Sequence, residues 1–494
     1  MPIGLHFHDH LCDSGLMRSV SARSLATLLG REPMATRPAY RGLADAIRRL
    51  VSDGRLLVGT RLPSERSLTS ELGLSRTTVG GALELLRAEG FVVTRRGSGS
   101  VVALPSGPSG LALSQAGLIP SPLPPDVIDL TYAALPAAAG VTLAYERALH
   151  ELPRHLATSG YDPHGLVETR TALAEWFALR GLPTDPAQIV ITSGAHAGLT
   201  ATLRAILEVG DRVLVETPTY PNAIVGVRRS AYRPAAFPLS GQGWDLESID
   251  VALRQSGARA AYLIPDFQNP TGRLMDGSTR AAVSSLLRRA RTIPVVDETF
   301  VELGLDTAPP APFATHSDSA ITLGSAGKTW WGGLRVGWVR APTAQVSQIL
   351  EARHSLDLGT AVLEQLVVAE LLRAGPGLLD ERREDARRRR EAMVEAVRRH
   401  LPDWHFRLPE GGLNLWVELP VDRGEELSRV AEDAGVRLAH GGQFGVQGGM
   451  GRFVRLPFCV APDEADEVGR RLATAWQLAL GGRSAPGTRT PLIA

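Results

Sequence analysis

Apolar residues recur at two different periods along this 494-residue chain, and the change of period divides it. Between residues 37 and 103, Leu43, Ile47, Leu50 and Val51 fall on one face of a 3.6-residue helix. Pro63 and Ser64 open a second helix, with Ser64 as N-cap and Glu65 at the positive end. Gly73 supplies a turn, and Ser75 caps a third helix that carries Val79, Ala82, Leu83 and Leu86 inward. The stretch FVVTRR-GSGS-VVA then reads as a β-hairpin with a glycine-rich tip. After residue 127 the grammar changes: short apolar runs (QIVITSG, DRVLVETP, AAYLIPD, TIPVVDE) alternate with helical stretches such as AHAGLTATLRAIL. That order predicts a mostly parallel sheet covered on both faces. Beyond about residue 360 a long helix, the arginine-rich ERREDARRRREAMVEAVRRH and a hairpin-like NLWVELP predict a smaller α+β subdomain. The arginine run, interleaved with Glu and Asp, reads as a solvated amphipathic helix rather than a nucleic-acid patch.

Residues 104–126, dense in Pro, Gly and Ser, read as a linker. The expected plan is an unstructured leader over 1–36, a small unit over 37–103, the linker, a large unit over 127–484 and a tail over 485–494. The length supports this division, since single cores stop growing at about 250–300 residues.

Composition adds little until its distribution is considered. Net charge is +1, yet residues 37–103 hold eleven arginines against six acids, so the small unit is a basic head on a near-neutral chain. Two cysteines, Cys12 and Cys459, form neither a disulfide framework nor a zinc motif, and the His6, His8, His10 alternation is not taken as a metal site. With no signal-peptide pattern and no run of about 18 apolar residues, a cytoplasmic protein without membrane contact is expected.

One residue type is almost missing. Lys328, in GSAGKTWWGGLR, is the only lysine, while 52 arginines carry the remaining positive charge. A guanidinium cannot act as a nucleophilic amine or form an imine, so a retained amine points to amine chemistry, although compositional bias alone leaves the same trace. The neighbours decide. An imine-forming lysine needs an aldehyde, and the common protein-bound one is pyridoxal phosphate. Backbone N–H groups near Ser193, Gly194, Ala195 and His196 would face its phosphate at a helix N-terminus, with Ser325 and Arg335 beside them. Asp297 can remain ionised against a protonated pyridine nitrogen, Asn269 can donate to the phenolic oxygen, and Tyr220 can lie on the ring.

In the head, LPSERSL, LGLSRTTV, LRAEGF and GSGS, in this order, resemble the winged-helix domain of the GntR superfamily of bacterial regulators. The resemblance implies a double-stranded DNA operator as partner. Arg66, Ser75, Arg76, Thr77 and Thr78 would contact it from the helices, and Arg95, Arg96 and Gly97 from the wing. In the body, SGAHAG, PTYPN, PDFQNPTG, VVDE, SAGK and GGLRVGW resemble the fold-type I aminotransferases over about residues 128–480. By that resemblance Tyr161 reaches the phosphate of the neighbouring subunit and Arg455 clamps a substrate or effector carboxylate. The whole is similar to the MocR/GabR regulators: a winged helix-turn-helix head, a linker and an α/β aminotransferase-like body with a smaller α+β subdomain. These are homodimers in which each head packs near the partner's body.

The resemblance implies a transcription regulator that senses an amino acid, an amine or pyridoxal 5'-phosphate itself through imine exchange at Lys328. An active aminotransferase carrying a DNA-binding head is the alternative, and an interaction protein with a decayed cofactor site a third. Two departures bear on turnover: Thr299 stands where the family often has tyrosine, and Gly327 where it often has serine. Trp330 and Trp331 either line the substrate cavity or pack between the subdomains.

Overall fold

The computed structural model describes residues 19–30, 38–52, 56, 60–95, 99–103, 126–241, 243–308 and 310–481. The chain separates into two compact units, residues 1–112 and 113–494.

In the first unit, helices Ala39–Ser52, Glu65–Leu72 and Arg76–Ala88 precede an antiparallel pair, Val92–Arg95 with Gly99–Val102. Ser64 and Ser75 each accept a hydrogen bond from the backbone N–H three residues on, as N-caps do, and Gly73 closes the intervening helix in the left-handed region. Leu43, Ile47, Leu50, Val51, Val79, Ala82, Leu83 and Leu86 form one core. The expected leader needs correction, because Ala22–Leu29 is a helix. Ser21 caps it, and Leu25 and Leu29, one turn apart, are buried in that same core. A single i, i+4 pair in a chain this rich in leucine gave too short a period to read. His6, His8, His10 and Cys12 lie outside the described residues.

The second unit is built on an eight-stranded sheet. Its order is Ile189–Thr192, Gly337–Arg340, Ile321–Ser325, Ile293–Asp297, Ala260–Leu263, Arg212–Thr217, Arg233–Ser240, Gly243–Trp244. Only Gly337–Arg340 and Gly243–Trp244 run against the other six. Ala260–Leu263 inside the sheet and Ile189–Thr192 at its end are buried along their whole length, and Ile293–Asp297 and Ile321–Ser325 between them are buried except at their ends, which is why they read as apolar runs. A second sheet of five strands, His405–Phe406, Asn414–Glu418, Phe453–Pro457, Val436–His440 and Ile128–Leu130, forms the smaller part with its own core. The segment NLWVELP therefore lies inside this sheet, and residues just past the linker supply its edge strand.

The arginine-rich stretch belongs to helix Leu378–His400 and is only partly solvated. Arg387 and Arg388 pair with Glu384 on the surface. Arg382 and Arg390 are buried instead: Arg382 donates to the carbonyls of Thr329 and Pro136, and Arg390 pairs with Asp306. Both inward arginines are placed by the helical period, hidden in sequence because their type is that of a surface residue.

Candidate functional site

The head sorts its arginines. Arg48 is held by Asp45 and Glu89, Arg87 by Glu65, and Arg23 by Glu71. Arg66 and Arg76 are exposed, and among the described residues neither has a carboxylate within 4 Å. Arg76 begins the last of the head's four described helices, where Ser75 Oγ lies 2.8 Å from the hydroxyls of both Thr77 and Thr78. An uncompensated guanidinium on a capped helix end is the group that major-groove recognition employs. Arg95 ends its strand, while Arg96 and Gly97 lie outside the described residues.

In the body, six parallel strands end on one side, and loops from five of them converge there. Ser193 and Gly194 follow Ile189–Thr192, Tyr220 follows Arg212–Thr217, and Asn269 follows Ala260–Leu263. Asp297 ends its own strand, and Ser325 ends the strand from which a short helix carries Lys328. Carboxyl ends of parallel strands are where such sheets bind ligands. A cavity of about 320 Å³ results, lined by Gly194, Ala195, His196, Tyr220, Asn269, Asp297, Ser325, Lys328 and Arg335 among others.

Local geometry explains several of these residues. Gly194 has φ +90°, and a Cβ there would stand 2.8 Å from Arg335 Nη2, so only glycine leaves the helix N-terminus open. Arg335 is itself left-handed, at φ +51°, and donates to the Ser193 carbonyl at 3.4 Å. Ser325 caps the lysine helix by accepting from Gly327 N–H at 3.1 Å. A Cβ at Gly327 would lie 3.2 Å from that hydroxyl, so the glycine where serine is common keeps this cap uncrowded.

Lys328 Nζ donates to the Ala133 carbonyl at 2.8 Å and lies 5.8 Å from the Phe300 ring centre. Burial, followed by the positive charge of Arg455, lowers its pKa to about 8. Asp297 accepts from Tyr262 O–H at 2.7 Å and from Thr299 N–H at 2.9 Å. Burial raises the Tyr220 pKa and lowers that of His196, leaving a protonated phenol and a neutral imidazole in the cavity. Arg455 is fully buried, donates to the Thr131 carbonyl, and reaches Asn269 Oδ1 at 3.5 Å. Burial brings its pKa down to about 10.

Tyr161, Trp330 and Trp331, all singled out in the sequence, line no part of this cavity. Tyr161 is 69% exposed. Trp330 settles as a core residue, 2% exposed and edge-on to Trp176, while Trp331 is on the surface. Sequence reasoning missed Tyr262 and the carbonyl of Ala133. It also missed Glu216, a buried carboxyl raised to about 8 by burial, which accepts from Gln268, Trp244 and the Ile264 backbone and so braces the Asn269 loop. The hydroxyl of Thr299 is buried without a hydrogen-bond partner. Among the described residues no cluster of His, Cys, Asp or Glu is placed to hold a metal ion, and no helix is long and apolar enough to cross a membrane.

A winged-helix head and a parallel-sheet body whose strand ends gather a lysine, a carboxylate and an open helix N-terminus define the class: a DNA-binding regulator with an aminotransferase-like domain. Comparison with known proteins gives the family. Residues 125–472 match "Aminotransferase class I and II", and residues 39–102 match "Bacterial regulatory proteins, gntR family". The chain thus belongs to the class I and II aminotransferase family and carries a gntR-family head. It is 26% identical over 452 residues to the uncharacterized HTH-type transcriptional regulator YdfD of Bacillus subtilis, covering 86% of this chain and 93% of that protein. It is 29% identical over 400 residues to the HTH-type pyridoxine biosynthesis transcriptional regulator PdxR of Corynebacterium glutamicum, covering 77% and 83%. Among solved structures, the α-aminoadipate aminotransferase LysN of Thermus thermophilus, complexed with N-(5'-phosphopyridoxyl)-L-leucine, superposes with TM-score 0.66 and 28% identity, covering 72% of this chain and 94% of LysN. Pyridoxal 5'-phosphate is the cofactor of this fold. The donor set fits it: an amine of lowered pKa, a carboxylate at a strand end, and a helix N-terminus beside the Arg335 guanidinium.

Proposed function

We propose that the body senses pyridoxal 5'-phosphate, or an amino compound that exchanges with Lys328 at its imine, and that the head converts this into a change of operator affinity. When bound, the cofactor supplies an aldehyde carbon and a ring able to withdraw electrons. Lys328, with its pKa near 8, presents a neutral amine at mildly alkaline pH and shares its proton with the Ala133 carbonyl otherwise. Asp297, fixed by Tyr262 and the Thr299 N–H, holds a proton at the ring nitrogen. The amides of Gly194, Ala195 and His196, with Ser325 and Arg335, would hold the phosphate, and in a homodimer the Tyr161 of a second subunit would join them. Tyr220 would cover the ring and Asn269 would donate to its phenolic oxygen, and Arg455 would bind an effector carboxylate by its bidentate fork.

The observation that carries this reading is the single lysine of the chain, its pKa lowered to about 8, in a body joined to a head whose Arg66 and Arg76 have no carboxylate within 4 Å among the described residues. A sensor needs only that the ligand prefer one of two states of the head, and no net turnover. The test follows the absorbance of the cofactor-loaded protein during titration with amino acids and 2-oxo acids, with operator binding measured in parallel. A spectral change that alters operator affinity without oxo-acid product is the expected result. Cycling with product release, and no effect on DNA binding, would make the protein an aminotransferase that carries a head.

A further inference from the structure

A second cleft, of about 530 Å³, opens between the two sheets of the body and shares no lining residue with the cavity around Lys328. Thr271 and Arg273, in the loop after Asn269, form one wall. His405 and Arg407 from the edge of the small sheet, with Trp416 from its second strand, form the other.

Charge in this cleft is unbalanced. Among the described residues no carboxylate lies within 4 Å of Arg273, whose guanidinium donates only to the Gly241 carbonyl. Burial and the positive charge of Arg407 both lower its pKa, so the two guanidiniums are close enough to repel. Arg407 is tied to Glu410 in its own loop at 2.9 Å. Glu418, the one acid on the wall, lies 3.4 Å from Arg452 and is engaged there. His405 adds an imidazole at the rim. An anion between the arginines would replace repulsion with charge-assisted hydrogen bonds.

Aromatic side chains make up much of the remaining wall. Trp416 stacks on Phe453 with centroids 5.2 Å apart and planes 2° from parallel, and meets Phe444 edge-on at 5.3 Å. Phe444 lies beneath the Arg455 guanidinium, 5.3 Å from it. Trp416 and Arg455 are direct partners on adjacent antiparallel strands, so their side chains leave the same face of the sheet. An occupant of the cleft is therefore one aromatic pair away from Arg455. A basic fork facing an aromatic wall, in a volume of this size, is the composition of a small-molecule site.

We propose that this cleft is a second binding site, for a small organic anion: a carboxylate or phosphate carried on an apolar ring or chain. The inference does not rest on the sensing function, since no residue lines both the cleft and the cofactor cavity.

The test is calorimetric titration of the full chain with benzoate, phenyl phosphate and uncharged benzyl alcohol. Benzoate or phenyl phosphate should bind, whichever is tighter giving the headgroup, and benzyl alcohol should not. Arg407→Gln, at an exposed position, and Arg273→Gln should each weaken that binding about tenfold, the loss of one charge-assisted hydrogen bond. Quenching of tryptophan fluorescence by the bound aromatic anion should disappear in Trp416→Phe. If Arg273→Gln fails to fold, Arg407→Gln decides alone. Isotherms unchanged in Arg407→Gln, or benzyl alcohol binding as tightly as benzoate, would overturn the proposal.

Discussion

The head and the body of this chain present their working groups in opposite ways. The head exposes them: Arg66 and Arg76 stand in solvent on short capped helices, and what marks them is that no carboxylate among the described residues pairs with them. The body encloses them: Lys328, Tyr220 and His196 are taken out of water far enough to shift their protonation, and each depends on a loop from a different strand. The difference follows from the ligands. A polyanion brings its own charge to a surface and is met by cations that remain hydrated until contact. Amine chemistry requires a group whose charge has already been lowered by burial.

The sharpest way to separate the two regions is Lys328→Ala. Borohydride reduction followed by mass spectrometry should find the cofactor fixed to the parent and none fixed to the variant, while operator binding in the absence of ligand persists. Operator binding lost together with the amine would mean that the two regions are not separable. The next largest effect is with pH. Lys328, at about 8 rather than 10.5, binds its proton less well folded than unfolded. The unfolded chain thus holds more protons between these values, so the stability of the cofactor-free protein rises as pH climbs from about 8 to 10.5. The penalty is complete below 8. The rate of cofactor capture should fall about tenfold per pH unit below 8 and level off above it, because only the neutral amine reacts. A break near 10.5 in stopped-flow traces would put the amine in water.

Gly194→Ala tests the cradle. The added methyl meets Arg335 at a left-handed φ, so cofactor affinity should drop by about 1–3 kcal/mol in a fluorescence titration. Unchanged affinity would show that the helix N-terminus tolerates a side chain and that the phosphate is held elsewhere.

What was legible in the sequence follows the same division. Lys328 could be found because arginine replaced every other lysine, and Asp297 because it ends an apolar run with a charge. Ser64, Gly73 and Ser75 are local rules of chain geometry, so the head could be traced almost residue by residue. Tyr262 could not be found this way. It is an ordinary aromatic in an apolar strand, and its bond to Asp297 joins residues 35 apart through a parallel strand pairing that sequence does not number. Glu216 was hidden for the same reason, and Arg382 because its residue type is that of a surface. The helix Ala22–Leu29 was missed because eight residues carry only one buried pair.

On the head, Arg76→Ala should cost about 1–3 kcal/mol at one base position if the guanidinium reads a guanine, measured as a difference between operator and single-base variants. Arg48→Ala is its control: Arg48 is already compensated by Asp45 and Glu89, so its loss should lower stability and leave base preference unchanged. Equal weakening on every sequence would demote Arg76 to a phosphate contact.

The smallest effect is expected from Tyr262→Phe. The phenol stays protonated over any working range, because burial and the adjacent carboxylate push its pKa well above the ordinary value. It therefore donates to Asp297 at every pH used, and the variant removes this one bond while the Thr299 N–H still holds the other oxygen. A loss of about 0.5–1.5 kcal/mol in cofactor affinity is expected, up to about tenfold. The stronger signature is spectroscopic, for a carboxylate free to rotate holds the ring proton less firmly and moves the pH at which the visible band changes. A variant whose affinity falls while that pH stays fixed would make Tyr262 a packing residue of the strand, and would leave the orientation of Asp297 to its own backbone turn.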